Sequence, residues 1–235
     1  MHRNIISIIV IITSLVAASA AHAQQDNAET DFAVTVIKGG TAVEITKYTG
    51  TSQAVRIPER IQNLPVMSIG KRAFYKKQLV SIVIPSSVTH IGISAFRQNI
   101  LASVTIPDSV THIESFAFAG NQLSGVAIPS SVAHIGIGAF ARNQLSSVTI
   151  SNSVTSIGHE AFRYNILASV TIPGSVAHIG KNAFEGNRLS SVTIGANVRL
   201  GDENPSFDNG FDNFYRDNSS RAGTYLHADS RWSIQ

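Results

Sequence analysis

The chain has 235 residues, no cysteine and a formal net charge of +3. So small a positive surplus makes no case for a nucleic-acid or anionic-membrane partner. The lack of cysteine excludes disulfides and a lipid tether through an N-terminal Cys, so any core must be held by packing alone.

Met1-His2-Arg3 is a short basic start, Ile5 to Val16 is apolar, and Ala17-Ala18-Ser19-Ala20-Ala21-His22-Ala23 offers a small-x-small site. That order predicts a secretory signal peptide over residues 1–23, cut after Ala23. The apolar run is too short for a membrane span of about 20 residues. A retained anchor is the competing reading, and the polar Gln24-Gln25-Asp26-Asn27 that follows argues against it. The expected mature chain is soluble and secreted, to the periplasm or the cell surface, and long enough for one domain. Residues 24–54 read as a cap. In it Phe32-Ala33-Val34-Thr35-Val36-Ile37 and Ala42-Val43-Glu44-Ile45 alternate around Lys38-Gly39-Gly40-Thr41, the pattern of a β-hairpin.

Phenylalanine then recurs at 74, 96, 118, 140, 162 and 184, each 22 residues after the last, and the last five close near-copies of Leu-x-x-Val-x-Ile-Pro-x-Ser-Val-x-x-Ile-Gly. A fixed period of this size predicts a leucine-rich-repeat-type solenoid of about six coils over residues 55–198. The class is a mostly β member of the α/β-type repeats, right-handed, with a parallel sheet and a cap at each end. Val104 and Ile106 stand two apart, as do Val126/Ile128, Val148/Ile150, Val170/Ile172 and Val192/Ile194, so each pair faces inward from a strand. Pro107, Pro129 and Pro173 end those strands because proline cannot donate to the ladder.

A second apolar pair follows in each copy, as Val110/Ile113, and a glycine marks the corner at 92, 136, 158 and 180, with Glu114 as the exception. Ala-Phe is expected in a tight helical turn that drops one ring per coil into the core, worth roughly 1.5–3 kcal/mol each. Asn99, Asn121, Asn143, Asn165 and Asn187 fall two residues before the next Leu. Their side chains both donate and accept, which suits a ladder between turns. In residues 199–235, Phe207, Phe211, Phe214, Tyr215, Tyr225 and Trp232 can cover the last coil, with an aromatic ligand cage as the alternative.

The consensus Leu-x-x-Val-x-Ile-Pro-x-Ser-Val-x-x-Ile-Gly-x-x-Ala-Phe-x-x-Asn resembles the BspA-type leucine-rich repeat of bacterial surface proteins. Ile45-Thr46-Lys47-Tyr48-Thr49-Gly50 and Leu64-Pro65-Val66 resemble that family's opening segment, and Phe214-Tyr215 with Ala222-Gly223-Thr224-Tyr225 and Trp232 a C-terminal segment of spirochaete members. Many members carry cysteine where this chain has asparagine. The resemblance implies an extracellular protein, some members being adhesins for host proteins or bridges between bacteria.

The outward residues of the main strands read Ser81/Val83, Ser103/Thr105, Gly125/Ala127, Ser147/Thr149, Ser169/Thr171 and Ser191/Thr193. Nothing among them is a general acid, base or metal ligand, so an enzyme is not expected. The candidate partner contacts are Ser103, Thr105, Ser147, Thr149, Ser169 and Thr171, together with Phe116, a large apolar residue where other copies have Ser94, Gly138, Glu160 and Asn182; local packing is the alternative for Phe116. His90, His112, His134 and His178 share one repeat position, interrupted by Ser156. Side chains on parallel strands do not converge as zinc requires, so no metal or cofactor is expected. Lys71, Arg72, Lys76, Lys77, Arg97, Arg142, Arg163, Lys181 and Arg188 make the turn edge basic. An acidic glycan could bind there, though solvated charge is the plainer account. The expected function is recognition of a protein or glycan, with adhesion to host or bacterial partners as its use. The alternative is a self-assembling envelope component forming homo-oligomers.

Overall fold

The computed structural model describes residues 25–201, 205–207 and 209–235; the signal segment expected over residues 1–23 lies outside them. Among the described residues no helix is long and apolar enough to cross a membrane. Each repeat forms one coil, and about seven coils stack into a β-solenoid. Val126, Ile128, Val170 and Ile172 from the first extended stretch are buried, as are Val132, Ile135, Val176 and Ile179 from the second. The six repeat phenylalanines complete this core, fully buried and stacked at ring-centroid separations of 5.1 to 5.6 Å.

The ring file is longer than the repeat predicts. Tyr48 stacks on Phe74 at 5.3 Å and Phe207 on Phe184 at 4.9 Å. Tyr48 lies 26 residues before Phe74 and Phe207 lies 23 after Phe184, so neither obeys the period that reveals the other six.

The position of the main sheet is a correction. The ladder that runs unbroken along the stack is not the Ser/Thr row but the stretch beyond the proline. The hairpin Phe32–Ile37 and Ala42–Tyr48 opens a ten-stranded sheet, and Ala42–Tyr48 pairs in parallel with Leu64–Ile69. The parallel two-residue strands His90–Ile91, His112–Ile113, His134–Ile135, Ser156–Ile157, His178–Ile179 and Arg199–Leu200 then follow in order, while Arg60–Ile61 pairs off the side of Leu64–Ile69. The Ser/Thr rows form three separate pieces: Ala54–Arg56 with Ser81–Val83, Gly125–Ala127 with Ser147–Thr149, and Ser169–Thr171 with Ser191–Ile194. Residues 103–105 belong to no strand. A gap costs little here, because Leu101 and Ile106 on either side remain buried and three other ladders tie the coils together.

The turns carry one of those ladders. Phe74, Phe96, Phe118, Phe140 and Phe162 each donate the backbone N–H to the alanine carbonyl of the next coil at 2.8 to 2.9 Å. The residues two before and two after each repeat phenylalanine have φ between +54° and +71°. Between them the intervening N–H groups close short turns, as Ala95 to Gly92 at 3.1 Å and Arg97 to Ser94 at 3.2 Å. The turn is thus a paired strip between coils and not a helix.

Asparagine supplies the second ladder, as the sequence suggests. Asn143 donates through Nδ2 to the carbonyls of Phe118 and Phe140, both at 3.0 Å, and accepts the Leu123 N–H at 3.1 Å. Asn99, Asn121, Asn165 and Asn187 repeat the arrangement. The third ladder uses the Ser of Pro-x-Ser-Val: Ser87, Ser109, Ser131, Ser153 and Ser175 donate their hydroxyls to the carbonyl 21 residues earlier.

At the C-terminal end a helix, Phe211–Asp217, precedes a hairpin of Gly223–Ala228 and Arg231–Ile234 that adds antiparallel to Ser191–Ile194. Phe207, Phe211, Tyr215 and Tyr225 are fully buried over the last coil. The buried Asp212 carboxylate accepts the N–H groups of Ser206 at 2.6 Å and Phe207 at 3.0 Å, fixing the loop that carries Phe207.

Candidate recognition surfaces

Strand alternation turns Ser147, Thr149, Ser169 and Thr171 outward, and all four are exposed. Among the described residues their hydroxyls have no hydrogen-bond partner, and the same holds for Ser103 and Thr105. The contrast with the second extended stretch is sharp. There Thr111 and Thr155 donate to the carbonyls of Thr89 and Ala133 at 3.1 Å, and the Ser ladder is engaged throughout. The face ends at Thr171, because the C-terminal hairpin half-buries Ser191 and Thr193 and Thr193 bonds Thr224 at 3.0 Å. Ser103 and Thr105 are exposed but stand outside any strand, so they do not continue a sheet surface as the repeat suggests. The Ser147–Thr149 and Ser169–Thr171 strands pair away from each other, into different sheet pieces.

Phe116 takes the local packing that is the alternative to a partner contact. It is half-buried, with φ of +59°, and packs down onto the next coil with the Arg97 guanidinium 5.1 Å above its ring. Room exists because position 138 is glycine, where a β-carbon would overlap the Phe116 ring. Tyr164 lies over Gly186 in the same way. The signal in the sequence is a glycine 22 residues after an aromatic residue, which the reading by single copies missed. Ile100 and Ile166 are 41% exposed, and Ile93 and Ile137 join them.

The histidines line the outside of the ten-stranded sheet. His90 and His112 rings lie 5.3 Å apart, and His134 Nδ1 is 2.7 Å from the Ser156 hydroxyl that interrupts the file. A shallow depression of about 400 Å³ between Thr111, His112, Ser131 and His134 is open to solvent. Among the described residues no three His, Cys, Asp or Glu side chains come together as a metal site would need.

The turn edge is uneven. Arg163 bridges Glu160 at 3.1 Å and Glu185 at 2.8 Å, and its bond to Glu185 holds the guanidinium pKa above the usual value. Arg142 and Arg163 lie 5.0 and 4.5 Å from the Tyr164 ring centroid. Among the described residues Lys71, Arg72, Lys76, Lys77 and Arg97 form no ion pair.

Stacked 22-residue coils, an internal phenylalanine file and an asparagine ladder define a leucine-rich-repeat solenoid. The chain belongs to the BspA-type leucine-rich repeat family, whose sequence model matches residues 67–202 in six copies. It is similar to the crystal structure of a T. pallidum leucine-rich repeat protein, with 31% identity, a TM-score of 0.65, and 75% of this chain and 86% of that one covered. A leucine-rich cell surface protein from Faecalibacterium prausnitzii is 26% identical with a TM-score of 0.54, over 89% of this chain and 60% of that one. The pneumococcal vaccine antigen PcpA, at 24% identity, 71% and 48% coverage and a TM-score of 0.58, shares the fold. No curated protein matches the chain.

Proposed function

We propose that this is a secreted or cell-surface protein that recognises an extended protein partner, with the Ser/Thr rows as the contact face and adhesion as its use. The observation that carries the reading is the set of six hydroxyls on Ser103, Thr105, Ser147, Thr149, Ser169 and Thr171, exposed and free of internal partners while equivalent groups on the other stretch are committed to ladders. A β-strand or extended loop laid along them would meet alternating donors and acceptors with no bulky side chain in the way. Membership of a family with cell-surface members supports the compartment, and the reading needs no catalytic group.

The test has two arms. N-terminal sequencing of the protein recovered from producing cells should begin at Gln24, and protease added to intact cells should remove it. The full chain should also bind at least one protein in a panel of extracellular-matrix proteins. A protein kept inside the cell, or one that binds none of the panel, counts against the proposal. Self-association through Phe116 and the end caps, the alternative expectation, loses one of its two contacts because that ring packs onto its own neighbouring coil; light scattering of a monomer would remove it.

A further inference from the structure

Five cations crowd the turn edge of the first two coils, and among the described residues none of them forms an ion pair. Arg72, Lys76 and Lys71 are exposed, and Lys77 and Arg97 half-exposed. Backbone pairing fixes their neighbourhood: the Arg72 N–H meets Ile93 O at 2.9 Å and the Lys76 N–H meets Arg97 O at 3.1 Å, so the two coils present their charges side by side. Tyr75 lies among them, with Arg72 and Lys76 5.5 and 5.4 Å from its ring centroid and its hydroxyl locked on Gln98 at 2.8 Å. Glu44 and Glu114 line the same shallow depression as Lys71, but among the described residues neither forms an ion pair with any of the five cations, and Glu44 accepts the Ser68 hydroxyl at 2.6 Å. The opposite end of the same edge shows what compensation looks like, for there Arg163 is bracketed by Glu160 and Glu185.

We propose that Lys71, Arg72, Lys76, Lys77 and Arg97 form a binding site for an acidic polysaccharide. Like charges held on a rigid edge raise the local potential; a polyanion's charges neutralise it, and release of the polyanion's counterions drives the binding. Adjacent coils rise by about 4.8 Å, the strand spacing. That is the scale of one sugar residue, so a chain with a carboxylate or sulfate on each sugar can meet successive coils in register. The partly exposed Tyr75 ring adds a flat face for the C–H side of a pyranose. A membrane is the weaker fit, since the cations sit on a narrow edge built from one short strip per coil. This site is separate from the Ser/Thr rows and does not rest on that reading.

The experiment measures binding of the full chain to immobilised heparin as salt is varied around about 0.15 M. Arg72→Asn with Lys76→Asn removes two charges at positions of positive φ that asparagine tolerates. Binding should weaken about tenfold, and the slope of log affinity against log salt should fall by roughly 0.7–0.9 per cation removed. Lys71→Gln with Lys77→Gln, on ordinary backbone, should weaken binding similarly and covers the case in which the first pair misfolds. The distant pair Arg142→Asn with Arg188→Gln should stay within about twofold. The proposal is overturned if the unmodified protein does not bind heparin, if the distant pair weakens binding as much, or if phosphatidylserine–phosphatidylcholine vesicles, and not heparin, show the dependence on Arg72 and Lys76.

Discussion

Phe140 has ring neighbours on both sides, Phe118 at 5.5 Å and Phe162 at 5.6 Å, so neither coil can close a gap left between them. Phe140→Ala should cost about 3–5 kcal/mol in a denaturant melt. Arg142→Ala gives up only its contact with Tyr164, 5.0 Å from the ring centroid, and should cost about 0.5–1 kcal/mol. Equal effects would mean that the ring file is not the core. Gly138 offers a test of the packing that repeat counting missed. Gly138→Ala sets a β-carbon into the Phe116 ring at φ of +57°, for a loss of about 1–3 kcal/mol. In the Phe116→Ser background the overlap is gone, and Gly138→Ala should there cost only about 1 kcal/mol for the left-handed backbone. No recovery in the double mutant would show that Phe116 does not lie over Gly138. The six phenylalanines and five asparagines were legible because duplication repeats them at one spacing. The Phe116–Gly138 pair was not, because it is a departure in one copy answered by a departure in the next.

At the scale of elements, the hairpin Phe32–Ile37 and Ala42–Tyr48 was readable from alternation around a Gly-Gly turn. The helix Phe211–Asp217 was not, since its seven residues are too few to show a period and its three aromatics, Phe211, Phe214 and Tyr215, suggest only burial. Strand continuity was misjudged for a physical reason. The Ser/Thr rows can lapse at residues 103–105 because the buried Leu101 and Ile106 and the other ladders hold the coil there, while the two-residue His-Ile rungs stay in register.

The C-terminal cap hangs on Asp212. Asp212→Ala would strand the buried N–H groups of Ser206 and Phe207, and should cost about 2–5 kcal/mol. Burial raises the Asp212 pKa against the opposing pull of those donors. The folded cap therefore holds the proton more tightly than the unfolded chain. Its contribution is fully present below the ordinary carboxylate value and is lost as pH rises through the folded value. Fluorescence of Trp232, the only tryptophan, should report a cap that loosens over that window, and Asp212→Asn should flatten the slope. A cap that strengthens with rising pH would contradict the assignment.

The whole molecule is a solenoid whose stability is local, each coil depending on its neighbours through the ring file and the backbone, asparagine and serine ladders. Such a scaffold can vary its surface without loss of fold, which is why the sequence specifies the architecture closely and the partner hardly at all. Among the described residues two surfaces nevertheless differ from the rest, the free hydroxyls of the Ser/Thr rows and the cations of the first coils that form no ion pair. Recognition by the first is the central claim. Thr149→Lys with Thr171→Lys should place two long charged side chains on that face with little loss of stability, since both residues are exposed. Arg163 is a poor control because it bridges Glu160 and Glu185. Arg142→Glu with Arg188→Glu serves instead, its charges being largely screened beyond about 8 Å at physiological salt. The decisive measurement is solid-phase affinity for whichever matrix protein the unmodified chain binds. The threonine pair should weaken it by about tenfold or more while the arginine pair stays within about twofold. The reverse ranking, with both variants folded, would move recognition off the Ser/Thr rows and contradict the account.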